Sequence, residues 1–303
     1  MDKFWLKSYP EGVPHNVDPE QFRSLNQLLE DSFRRNASRP FSVCMDRWMS
    51  YGELDELSSA MGVWLQAQGL EPGARVAIML PNIPQFAVTM AGILRAGYTC
   101  VNVNPLYTAR ELEHQLKDSG ATAIVILENF ATTLEEIVDR TSVKHVVLAS
   151  MGDLLGFWYG QWITFAVRHL AKMVPAYQLP LTNGRTVTPF KRVMAEGMGK
   201  ALKPSATTLD SIAFLQYTGG TTGLSKGAVL THRNIVAAVL QAEAWFTPAL
   251  RRIGDVSKTN GIAALPLYHI FALTLCLLAI RWGSHLTLIP NPRDFGQFIE
   301  VLK

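Results

Sequence analysis

Ten consecutive residues, Thr218-Gly219-Gly220-Thr221-Thr222-Gly223-Leu224-Ser225-Lys226-Gly227, have a composition suited to holding a polyphosphate. Glycines let backbone N–H groups approach an anion, threonines add hydroxyl donors, and a lysine adds a point charge. The loop follows a buried-strand pattern, Ile212 to Tyr217, and precedes a return strand, Ala228 to Leu230. Thr231 then stands where it can cap a helix from His232. The order Ser225-Lys226-Gly227 is not that of a Walker A loop, which ends Gly-Lys-Ser/Thr, and Gly-x-Gly-x-x-Gly is not matched either. A glycine-rich hairpin without a ligand is the plain alternative. Four glycines, three threonines and a lysine in ten residues weigh against it.

The elements that must carry this loop can be read from periodicity. Ser50-x-x-Glu53 and Thr108-x-x-Glu111 are capping boxes, opening helices to about Gln68 and Asp118. Apolar or β-branched runs at 75–80, 99–103, 123–127 and 145–148 read as strands, with helices at 84–96 and 134–139 between them. Strand and helix alternating in this way predict an α/β fold of parallel sheets flanked by helices, with right-handed crossovers. The expected organisation is an N-terminal arm and first helix (1–49), an α/β subdomain (50–150), an aromatic and basic connector (151–211), and a second α/β part with the loop (212–303). Phe295, Phe298, Ile299 and Leu302 share one helix face, and Lys303 follows with no cap, Gly or Pro. The expectation is a chain cut inside a helix.

With 303 residues, 48% hydrophobic and 17% charged, the chain is neither disordered nor a disulfide scaffold. A net charge of +3 gives no case for nucleic acid. Cys44, Cys100 and Cys276 lie far apart and read as reduced cytosolic thiols. The longest apolar run, Ile270 to Ile280, is far shorter than the roughly 20 residues of a membrane-spanning helix. Gln161, Thr164, Arg168 and Lys172 form a polar stripe on one helix, and Trp158, Trp162, Phe165, Leu170 and Met173 occupy the rest. Between 156 and 203 the bases outnumber Glu196, a pattern suited to an interfacial helix on a membrane. A helix packed on the body with a solvated basic edge is the alternative.

Tyr217 to Gly227 resembles the signature of the adenylate-forming acyl-CoA synthetases, usually Tyr-Thr-Ser-Gly-Thr-Thr-Gly-x-Pro-Lys-Gly, with Gly219 for Ser and Ser225 for Pro. The Gly-Gly form, and the segments 101–108, 110–116, 265–273 and 291–294, are similar to the bacterial long-chain fatty acid–CoA ligases. The resemblance covers essentially the whole chain. It implies ATP-dependent activation of a long-chain fatty acid through an acyl-adenylate, then transfer to coenzyme A. Carried over, Tyr217, Thr218, Gly219, Gly220, Thr221, Thr222, Gly223 and Lys226 bind ATP. Lys226 and Thr222 serve the departing pyrophosphate, and Thr221 is the expected Mg²⁺ ligand, although the sequence does not decide between Thr221 and Thr222. His269 lines the acyl pocket, with Ile270, Phe271, Leu273 and Leu277 either beside it or in plain core. Leu273 stands where some relatives carry an aromatic gate.

The resemblance also implies a cytoplasmic protein, peripheral on the inner membrane surface; a homodimer is left open. The family's later segments are not found: Tyr51-Gly52-Glu53 lacks the Thr-Glu of the metal site, and Met151-Gly152-Asp153 is no ribose site. The small C-terminal domain is absent too, so the 303 residues are expected to be inactive alone. Ligation of another apolar carboxylate, such as an aryl acid, and a nucleotide- or membrane-binding module without turnover are the alternatives.

Overall fold

A computed structural model describes residues 3–218, 225–250 and 254–302. The chain opens with α1 (Leu25–Arg35), the hairpin β1 (Pro40–Cys44) and β2 (Arg47–Ser50), and α2 (Tyr51–Gln66). An alternating run follows: β3 (Arg75–Met79), α3 (Pro84–Arg95), β4 (Thr99–Asn102), α4 (Ala109–Ser119), β5 (Ala123–Leu127), α5 (Ala131–Glu135) and β6 (His145–Ala149). Then come α6 (Phe157–Phe165), β7 (Thr186–Pro189), α7 (Phe190–Gly197), β8 (Ile212–Thr218), β9 (Lys226–Thr231) and α8 (His232–Leu250). The last elements are β10 (Asn260–Ala263), α9 (Ile270–Trp282), β11 (His285–Leu288) and α10 (Phe295–Leu302).

Among the described residues the strands form two sheets, ordered β7-β6-β5-β3-β4-β8-β9 and β10-β11-β1-β2. All pairs of the larger sheet are parallel except the β8–β9 hairpin. Side chains alternate between its faces. Val76, Ile78 and Val125 join the core under α2 and α3, and Ala77, Met79, Ile124 and Ile126 join the one under α4 and α5. Both faces are covered, which is why β3 and β5 read as unbroken apolar runs. Burying a side chain such as Phe86 or Leu116 is worth about 1.5–3 kcal/mol.

Both capping boxes form. Ser50 Oγ accepts from the Glu53 N–H at 3.0 Å, and the Glu53 carboxylate accepts from the Ser50 N–H at 2.7 Å. Thr108 and Glu111 make the same reciprocal pair. The helix expected at 134–139 instead ends at Glu135, and Val138–Arg140 is a 3₁₀ turn. Ile137 and Val138 turn fully into the core as the chain returns to β6. The smaller sheet is local only in its β1–β2 hairpin; β1 pairs on its other side in parallel with β11, with Ser42 opposite Leu286.

Candidate functional site

Parallel strands put the C-terminal ends of β3, β4 and β8 at one edge of the larger sheet, the usual location of a site in such folds. Thr218 closes β8 at this edge, exposed, and lies in register with the exposed Lys226 that opens β9. Gly219, Gly220, Thr221, Thr222 and Gly223 lie outside the described residues. The two stems beside them are tied to α4. The Tyr217 hydroxyl donates to Asp118 Oδ2 at 2.6 Å, and His114 Nε2 stands 3.0 Å from the Ser225 carbonyl. Burial and then the Asp118 contact push the Tyr217 phenol above its ordinary range. Its ring packs on Gly227, where an added Cβ would stand 2.9 Å from it. Tyr217 is therefore seated between α4 and the hairpin.

His269 caps α9 through its backbone, accepting from the Leu273 N–H at 2.9 Å, and its exposed ring lies 4.9 Å from that of Tyr268. The segment before it hangs on two buried amides. Asn82, just after β3, donates to the carbonyls of Ala263 and Leu265 at 2.8 and 2.9 Å and accepts from the Leu267 N–H at 2.8 Å. Gln216, on β8, donates to the Tyr268 carbonyl at 2.8 Å. Asn102, its register partner on β4, donates to Gln216 Oε1 at 3.1 Å, and Gln115 donates to the Asn102 carbonyl at 2.8 Å. Sequence reasoning missed this set. Gln216 carried a signal, as a polar residue inside an otherwise apolar strand, and Asn82 carried a weaker one in the Pro81-Asn82 turn.

An apolar groove of about 290 Å³ lies between α8, β10 and α9, lined by Phe246, Leu250, Leu265, Leu275, Cys276 and Ala279. Leu273 and Leu277 do not line it; both are fully buried core residues, and Phe271 is exposed. Of the two readings of these positions, plain core holds for Leu273 and Leu277. No three His, Cys, Asp or Glu side chains among the described residues converge where a metal ion could be held.

The polar stripe of the connector helix points partly inward: Thr164 is buried, and Arg168 donates twice to Glu128 Oε2, at 2.9 and 2.6 Å. Glu128 is 1% exposed, so this ion pair anchors the helix to the end of β5. Gly160 meets Gly152 backbone to backbone, and a Cβ on either would collide. The aromatic side consequently faces out, with Phe157 67%, Trp158 83% and Trp162 56% exposed. No helix among the described residues is long and apolar enough to cross a membrane.

A family model described as AMP-binding enzyme matches residues 29–303. The chain is 47% identical over 305 aligned residues to a long-chain-fatty-acid–CoA ligase of Yersinia pestis, covering 100% of the chain and 52% of that protein. It is 46% identical to the Salmonella typhimurium ligase of the same name, covering 100% and 53%. Among solved structures, a long-chain-fatty-acid–CoA ligase from Archaeoglobus fulgidus superposes with a TM-score of 0.72 at 21% identity, covering 93% of this chain and 50% of that one. This last likeness bears on the fold alone. The chain spans about half the length of the curated relatives it matches.

Proposed function

Because the chain belongs to the AMP-binding enzyme family, we propose that the protein carrying it activates a long-chain fatty acid with ATP. The carboxylate attacks the α-phosphorus and pyrophosphate leaves; the thiol of coenzyme A then takes the acyl group from the resulting adenylate, and AMP leaves. The similarity over the full chain to long-chain ligases carries this reading. The meeting of the ends of β4 and β8 with the His269 segment supports it.

In this reading Thr218 and the loop residues Gly219, Gly220, Thr221, Thr222 and Gly223 present donors to the ATP phosphates. Lys226, exposed at the loop's far stem, adds a charge where negative charge grows on the leaving pyrophosphate. Tyr217 supports the stem from below. Thr221 would contribute a hydroxyl to Mg²⁺, an ion that offsets phosphate charge when bound. His269 faces the acyl carboxylate, and the groove beside α9 receives apolar chain. The test is acyl-dependent ATP–pyrophosphate exchange by the whole protein that carries these residues, with a long-chain acid and an aryl acid in parallel. Exchange with the long-chain acid is expected. Exchange with the aryl acid only would shift the substrate class, and nucleotide binding without exchange would leave a binding module.

The outward aromatic face favours a second element, contact with an anionic membrane surface. Phe157, Trp158 and Trp162 project from a helix held from behind by Arg168 and Glu128. Exposed aromatic rings near bases such as Lys172 suit the headgroup boundary. The protein would then meet its apolar substrate at the surface where that substrate partitions.

A further inference from the structure

The peptide bond joining Tyr268 to His269 is held at both ends, its N–H donating to the Pro266 carbonyl at 3.0 Å. Its carbonyl accepts from Gln216 Nε2 at 2.8 Å. A carbonyl can only accept, so Gln216 must turn its NH₂ there and its oxygen toward Asn102, which must then donate. Both amides are nearly fully buried, at 4% and 2% exposure, where such geometry is expensive to leave unmade. The three bonds of Asn82 fix the backbone from Ala263 to Leu267 on the other side.

The His269 ring makes no hydrogen bond among the described residues and touches Tyr268 only by ring contact. Its position is therefore inherited from its backbone. Gln216 also sits two residues before Thr218 on the same strand, so its side chain ties the end of β8 to the backbone beside His269.

We propose that Gln216, locked by Asn102 and seconded by Asn82, is a positioning residue that sets His269 relative to the end of β8, and so aligns the acyl carboxylate with the nucleotide. The proposal rests on the reading of His269 given above. The alternative is that these amides only satisfy buried backbone groups.

Two variants separate the two. In Gln216→Glu, assayed at a pH where the introduced carboxyl is ionised, the carboxylate still accepts from Asn102 but offers no proton to the Tyr268 carbonyl, and the shape is kept. In Gln216→Met both bonds go, with similar volume. Exchange kinetics and the ¹³C-labelled His269 ring resonance, assigned with His269→Gln, are measured in each beside a thermal melt. The expected result is a KM for the fatty acid raised about tenfold, the loss of one such bond. The KM for ATP should stay within about twofold, and the His269 resonance should shift. If Gln216→Met does not fold, Gln216→Glu decides. An unmoved resonance with both KM values unchanged in a folded variant overturns the proposal. If the wild type shows no acyl-dependent exchange, the functional reading fails, and the resonance alone still decides whether Gln216 places the ring.

Discussion

His232 offers a perturbation whose size follows from the structure. It is the first residue of α8, immediately after the return strand β9, and only 1% exposed. Its Nδ1 accepts from the Leu25 N–H at 3.2 Å, one of the amides that the first turn of α1 leaves without a helical partner. An imidazolium carries a proton on Nδ1 and cannot accept, so the contact requires the neutral ring. Burial pushes the ring's pKa down to about 4 from 6.5. The folded state thus resists protonation where the unfolded chain accepts it. The associated stability is present above pH 6.5 and is lost as pH falls through the window from 6.5 to 4. At 1.36 kcal/mol per pH unit the loss is about 3 kcal/mol.

The assay is urea unfolding from pH 4 to 8, comparing wild type with His232→Asn. The asparagine Oδ1 can occupy the place of Nδ1 and does not titrate. The variant should be less stable at pH 8, because its smaller side chain leaves a void. The gap should then close by about 3 kcal/mol on acidification, since only the wild type must exclude a proton. Carboxylate titrations elsewhere affect both proteins and cancel in the difference. A gap constant to within about 0.5 kcal/mol across this range would mean that the ring is not held neutral and buried.

Three further outcomes are expected. Lys226→Ala should slow acyl-dependent exchange by roughly 30- to 1000-fold, about 2–4 kcal/mol, with the melting temperature nearly unchanged; exchange within about twofold of wild type would place Lys226 outside the chemistry. Trp158→Ala combined with Trp162→Ala should weaken sedimentation with anionic vesicles while leaving exchange in detergent solution intact, and wild-type vesicle binding by the double variant would remove that helix from the membrane contact. Asp153, buried and accepting from the Ser150 N–H, has its carboxyl pushed up from 3.8 to about 6 by burial, so its effect has the opposite sign to that of His232: stability present below pH 3.8 is lost as pH rises through 6. Asp153→Asn should therefore gain on wild type by up to about 3 kcal/mol between pH 4 and 8 in urea unfolding.

What could be read from the sequence divides along the range of the interactions. Ser50 with Glu53, and Thr108 with Glu111, are complete signals because both partners of each cap lie within one helical turn. The strands β3, β4, β5, β6 and β8 show in the same way, since burial demands largely apolar runs, whereas β7, at the sheet edge and at most half-buried, left no such trace. The smaller sheet gave no such signal: the pairing of Ser42 with Leu286 is a fact about residues 244 positions apart. The turn of the connector helix was hidden for a related reason. Helical periodicity sorted its polar residues onto one stripe, but which stripe faces inward depends on Glu128, forty residues earlier and without solvent to stabilise its charge. A buried carboxylate costs several kcal/mol unless paired, so Arg168 goes to it and the tryptophans are left outside. The candidate site repeats this pattern. The placement of Thr218 and Lys226 at the ends of two adjacent strands was legible because strand, loop and return strand are contiguous. Gln216 and Asn82 were not, because each serves backbone groups more than 50 residues away that no motif records. Polar side chains inside apolar strands are the trace that such contacts leave in a sequence, since an amide in that position must find partners, and Gln216 shows that those partners can be the backbone of the site itself.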